Sequence, residues 1–125
     1  MGSSTDRTDY CVLCQTQQEE TLEHLFYTCS FSYTCWTSVG LTWATEGDGF
    51  DWMAAAKQTW TKPMFMEVFT TAAWSIWKER NNLIFRGVTP SHRSWLSRFR
   101  EDFLLQHRTK PELLGFITEF AREIA

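Results

Sequence analysis

No apolar run in this chain approaches the roughly 20 residues that cross a bilayer, so no membrane-spanning segment or membrane partner is expected. Low-complexity stretches and internal repeats at a fixed period are also missing, which excludes fibrous, solenoid and linker-like readings. The opening residues Met1-Gly2-Ser3-Ser4-Thr5-Asp6 are polar and lack the basic-then-apolar pattern of a secretory leader. The expectation is therefore an intracellular, reducing compartment, cytoplasm or nucleus. Histidine is scarce, with three in 125 residues, and neither His92 nor His107 has an evident acid–base partner in the sequence. A nucleophile-and-base enzyme is not expected, nor a small-molecule substrate.

What the chain does have is concentrated in its first thirty residues. Cys11, Cys14, His24 and Cys29 are spaced C-x2-C-x9-H-x4-C. Three thiolates and one imidazole close a tetrahedral shell around one structural zinc ion with no open position. The competing chemistry is disulfide formation, since the chain holds four cysteines, an even number. Cys11 and Cys14 are placed for a turn that grips a metal and poorly for a structural crosslink. In a reducing compartment, clustered cysteines are metal ligands or catalytic thiols more often than disulfides. Free thiols or a redox pair would also satisfy the same spacing.

Helical geometry constrains the ligand set. Glu19-Glu20-Thr21-Leu22-Glu23 resembles the acidic first turn of a helix that would carry His24. Cys29 lies five positions later, about 140° off the same face at 3.6 residues per turn. Both reach one ion only if the helix ends or frays just before Cys29. Cys35, beside Trp36 in an expected helix, reads as a small buried apolar residue, with a substitute role as fourth ligand left open.

At 43% apolar and 16% aromatic, the chain suffices for one domain with a real core. Its formal charge of −3 hides an asymmetry: residues 1–77 carry −6, residues 78–110 carry +5 and the last fifteen −2. The middle block offers the one plausible electrostatic footprint for RNA or single-stranded DNA, through Lys78, Arg80, Arg86, Arg93, Arg98 and Arg100.

Residues 1–9 read as a loose tail and 10–125 as a single domain, with a zinc knuckle over 10–38 and a helical bundle over 50–125. Tyr10–Cys14 reads as a short strand and a tight knuckle, with 15–18 completing a hairpin-like turn. Helices are expected over 22–28, over 31–39 stopped by Gly40, and from about Phe50 to Thr59, with 41–49 a loop. Pro63 opens the strongest one, 64–85, where Phe65, Val68, Phe69, Ala72, Ile76, Leu83 and Ile84 recur at three- and four-residue spacing. Trp74 and Trp77 give it a second apolar face, and Gly87 stops it. Ser91 caps a helix to about His107, with Trp95, Phe99 and Phe103 four apart. Pro111-Glu112 begins the last, striped by Leu113, Leu114, Ile117, Phe120, Ala121 and Ile124. The fold class is mainly α: a helical bundle with an N-terminal Cys3His zinc knuckle on a short β-hairpin.

Two stretches together carry a family resemblance. One is Cys11-Val12-Leu13-Cys14 followed by Glu20-Thr21-Leu22-Glu23-His24-Leu25-Phe26, Cys29 and Trp36. The other is Ala73-Trp74-Ser75-Ile76-Trp77-Lys78-Glu79-Arg80-Asn81-Asn82-Leu83-Ile84-Phe85. From about Tyr10 to its C-terminal helices the chain resembles the reverse-transcriptase zinc-binding domain of plant non-LTR retrotransposon proteins. The resemblance implies metal ligation by Cys11, Cys14, His24 and Cys29, and an accessory role beside a polymerase. The chain has no paired-aspartate polymerase signature and no carboxylate set for RNase H chemistry.

Two functions follow as expectations. The favoured one is a non-catalytic, retrotransposon-derived zinc module kept for protein interaction or regulation, with another protein or itself as partner. The second is a nucleic-acid-binding accessory module using the basic block, where Trp77 or Trp95 would stack on a base. Both aromatics also sit at core spacing. Loss of the ion would loosen the N-terminal region, while the helices from Met64 onward hold enough apolar surface to stay together.

Overall fold

The computed structural model describes residues 11–14, 19–21, 23–42, 47–107 and 109–124. It is mainly helical. A π-helical turn at His24–Thr28 leads into α1 (Ser30–Ser38), then α2 (Gly49–Thr59), the long α3 (Phe65–Arg86), α4 (His92–His107) and, after a 3-10 turn at Pro111–Leu113, α5 (Leu114–Glu123). Among the described residues no helix is long and apolar enough to cross a membrane.

Helix boundaries follow local chemistry. Asp48 and Asp51 form a reciprocal capping box at the start of α2, with N–H to carboxylate distances of 3.0 and 3.1 Å. A second carboxylate, from Glu23, accepts the Gly49 N–H at 3.0 Å, so the residue preceding the π turn also caps α2. The hydroxyl of Ser91 accepts the Ser94 N–H at 3.0 Å and starts α4. Gly87 ends α3 in the left-handed region (φ 68°), which a residue without Cβ enters freely. Met64 was expected inside α3; it stands just outside, at φ 67°, and the helix begins at Phe65. The left-handed backbone costs Met64 about 1–2 kcal/mol, offset by burial of its side chain.

The expected hairpin is not present among the described residues. Val12–Cys14 form the tight knuckle without the short strand expected beside it, while Tyr10 and 15–18 lie outside the described residues. A tight turn suits the spacing better, because a strand would send Cys11 and Cys14, three residues apart, to opposite faces.

The core is a single cluster drawn from both ends of the chain. Trp95, Phe99 and Phe103 are fully buried along α4 and stack in series at 5.4 and 5.6 Å between ring centroids. Phe120 of α5 meets Phe103 edge-on at 5.6 Å. From α3 come Phe65, Val68, Ala72 and Ile76; from α1 and its exit come Cys35, Trp36, Val39 and Leu41. Each buried large side chain of this kind contributes about 1.5–3 kcal/mol. Cys11, Leu13, Leu25 and Cys29 join the same cluster, so the metal-site segment and the bundle share one interior. Trp74 departs from the expectation of a covered second face: it is exposed on α3.

His107 ends α4 inside this core, its ring 5.0 Å from Phe103 and neither ring nitrogen bonded. Burial, with help from Lys110 and against the pull of Glu67, holds its pKa below the usual histidine value. The unfolded chain therefore takes up a proton first, near pH 6.5. This contribution is complete above about pH 6.5 and is lost as pH falls toward the depressed folded value. His107→Leu should flatten that acid slope in urea titrations between about pH 7 and 5.5. An unchanged slope would refute the assignment.

Candidate metal centre

Cys11 and Cys14 face each other across the Val12–Cys14 turn, and the amides of Leu13 and Cys14 point at the Cys11 sulfur. His24 enters from the π turn. Its Nε2 lies 3.3 Å from Cys14 Sγ, while Cys11 Sγ and Cys29 Sγ are 3.7 Å apart. All four donor atoms fall within 4.8 Å of one another, and these residues could hold a metal ion.

Both of these pair separations are close to those around one ion. A tetrahedral centre with zinc–sulfur bonds near 2.3 Å and a zinc–nitrogen bond near 2.0 Å has edges of about 3.8 Å between sulfurs and about 3.5 Å from sulfur to nitrogen. A disulfide between Cys11 and Cys29 would need sulfurs about 2.05 Å apart. All four cysteines are free thiols.

The angular mismatch between His24 and Cys29 is resolved by the π turn. Cys29 donates its N–H to the His24 carbonyl at 2.7 Å, a five-residue return that brings the two positions onto one side. Cys29 itself has left the helix (φ −59°, ψ 136°) and serves as N-cap of α1. The amides of Phe31 and Ser32 face its sulfur, and negative charge there is favoured by the start of α1.

Two threonines complete the setting, and sequence reasoning missed both. Thr28 Oγ1 lies 3.1 Å from His24 Nδ1, and Thr21 Oγ1 accepts the His24 N–H at 3.0 Å. A Thr28 oxygen accepting from Nδ1–H leaves the Nε2 lone pair turned to the sulfurs, the tautomer a metal requires. The signal was present as a threonine four residues after the histidine on one helical face.

Cys11 and Cys29 are joined by a hydrogen bond between their sulfurs. The hydrogen bond with Cys29, helped by the Cys14 and Leu13 amides against burial, draws the Cys11 thiol down to about 5. The same bond, with burial, pushes Cys29 up. A divalent cation held by these residues would take the place of that proton. Cys35 lies outside the cluster, fully buried, its thiol pushed up by burial and by the charge of Glu79. Its expected role as an apolar filler fits that position.

The basic block is largely engaged within the fold. Lys78 pairs with Asp102 at 2.9 Å, Arg80 with Glu20 at 2.7 Å, Arg98 with Glu79 at 3.6 Å, and Lys110 with Glu67 at 3.5 Å. Arg100 donates to the Ala121 carbonyl at 3.1 Å. Arg86 and Arg93 are exposed and make no ion pair among the described residues. Trp95 is fully buried and donates its Nε1–H to the Ala72 carbonyl, so it has no free face for a base. Trp77 is half-buried between Phe26 and the Arg80 guanidinium.

Compared with known proteins, the chain matches no protein-family model, no curated protein and no solved structure.

Proposed function

We propose that this chain is a non-catalytic zinc module of the reverse-transcriptase zinc-binding type, retained for protein interaction or regulation. A tetrahedral three-sulfur, one-nitrogen donor set is a standard structural zinc site. Four protein ligands fill a tetrahedral shell, so no coordinated water is left for hydrolysis and the role of the metal is to fold the chain. Three liganding thiolates require a reducing compartment.

The observation that carries the interaction reading is a pair of large aromatics left exposed on α3. Trp74 and Phe85 are eleven positions apart, close to three helical turns, and are 53% and 77% exposed. Ile84, next to Phe85, and Val88, just past the end of the helix, are also exposed. Large aromatics left in water on one helix face mark a contact surface for another protein or a second copy. Internal pairing of the cations beside it weighs against a nucleic-acid groove, which needs segregated positive charge.

A binding comparison between the zinc-loaded wild type and a Trp74→Ser/Phe85→Ser double variant tests this. The protein partner, or the second copy in sedimentation, should be lost with the double variant at unchanged helix content. Central aromatic anchors typically contribute at least about 2 kcal/mol each. Binding of RNA or single-stranded DNA with a steep salt slope, abolished by Arg86→Gln/Arg93→Gln, would instead establish the nucleic-acid role.

A further inference from the structure

Glu20 stands nine residues after Cys11 and four before His24, on a stretch with no helix of its own. Its carboxylate receives both prongs of the Arg80 guanidinium, Nε at 2.8 Å and Nη2 at 2.7 Å. The pair joins residues sixty positions apart, and the Arg80 and Glu20 side chains are mostly covered, 18% and 12% exposed. Arg80 Nη1 donates to Asn81 Oδ1 at 3.1 Å. The guanidinium carbon lies 4.7 Å from the centre of the Trp77 ring, and Trp77 stacks on Phe26, two residues beyond His24. The fork is thus fixed by a carboxylate, an amide and an aromatic face, and α3 is tied to the chain on both sides of His24.

Charge gives the arrangement a second consequence. Three thiolates and one divalent cation leave a net charge of about −1. The Glu20 carboxylate strengthens the Arg80 guanidinium's hold on its proton against the effect of burial, so the cation stays charged beside the centre. A two-pronged arginine is suited to this place, because it grips a carboxylate in one orientation and keeps its charge.

We infer that Arg80 is a positioning residue of the metal centre, clamping Glu20 so that Cys14 and His24, which flank it in the chain, present their donors to one ion. This rests on the zinc reading proposed above. Partners behind metal ligands typically change affinity about 10–100-fold. Arg80→Gln and Glu20→Gln should each weaken zinc binding by that factor in competition with a coloured chelator, at pH and salt where the wild type is saturated. Arg80→Lys, which keeps charge without the fork, should fall between them and the wild type. Lys78→Met is the control: it breaks the neighbouring α3–α4 pair with Asp102 and should leave zinc affinity at the wild-type level.

Wild-type affinity in Arg80→Gln would overturn the inference and leave the zinc reading intact. So would equal weakening in Lys78→Met, which would mean that any loosening of α3 releases the ion. A wild-type protein that takes up no zinc would overturn the proposed function itself.

Discussion

Stripping the metal with a chelator, or replacing Cys29 by Ser, is expected to unfold the whole chain rather than its first forty residues. Structural zinc contributes about 10–16 kcal/mol in small finger peptides, and a single domain has about 5–15 kcal/mol of net stability altogether. Loss of the ion therefore removes an amount comparable with the entire margin. Local loosening would follow only if the metal segment had its own separate interior. Instead Cys11, Leu13, Leu25 and Cys29 are buried in the same cluster as Trp36, Phe65, Phe99 and Phe120. Without the cation, two adjacent buried sulfurs are left 3.7 Å apart with a proton to share, and the imidazole Nε2 3.3 Å from a third.

This differs from the expectation drawn from apolar content alone, in which the helices from Met64 onward persist. Apolar residues in α3 to α5 are numerous enough, but part of what buries them comes from α1, which packs on both α3 and α4. Circular dichroism through a chelator titration, with metal content measured in parallel, decides between the two. Loss of helix and metal in one cooperative step is expected. Retention of most helix after the ion is gone, with a sharp melting transition still present, would show that the bundle stands alone. Cys35→Ala provides the comparison, since that thiol lies outside the donor cluster and its removal should keep the metal.

Both the helices and the donor set were legible in the sequence for the same reason: each depends on spacing along the chain. Trp95, Phe99 and Phe103, four apart, had to share a face, and they line the core. The four metal donors were readable because their residue types are rare and their intervals short. What spacing does not carry is the local backbone that satisfies it. The π turn at His24–Thr28 and the N-cap role of Cys29 arise from the demand that both residues reach one point, and ideal helical geometry could only register the conflict. The left-handed Met64 is set by tertiary burial of its side chain.

Charge was the least legible property. A block of positive residues can be counted in sequence, but its partners lie far away: Glu20 for Arg80, Asp102 for Lys78, Glu67 for Lys110. Pairing across the fold converts an apparent binding patch into internal bracing, and no window along the chain reports that. Trp74 fails in the opposite direction. Its helical spacing matched a second buried face, yet among the described residues no element covers it, and it remains exposed with Lys78 Nζ 5.7 Å from its ring centre.

Trp36→Ala is expected to destabilise the protein by about 3–5 kcal/mol, the range for deleting a large buried aromatic, and to weaken metal retention with it. Trp36 is fully buried in α1. Its ring stacks on Phe69 of α3 at 5.3 Å, and its Nε1–H is donated to the carbonyl of Phe26 within the π turn that carries His24. One side chain therefore fastens the metal-bearing turn to the long helix. Trp36→Phe separates the two contributions, since it keeps an aromatic ring but leaves the Phe26 carbonyl without this donor. A typical hydrogen bond contributes about 0.5–1.5 kcal/mol net, so the phenylalanine variant should fall between the wild type and the alanine variant. Urea midpoints at saturating zinc measure the stability term, and chelator competition measures the metal term. A Trp36→Ala stability within about 1 kcal/mol of the wild type would contradict full burial and the single shared core. A large stability loss with wild-type zinc affinity would show that the turn presents His24 without help from α1.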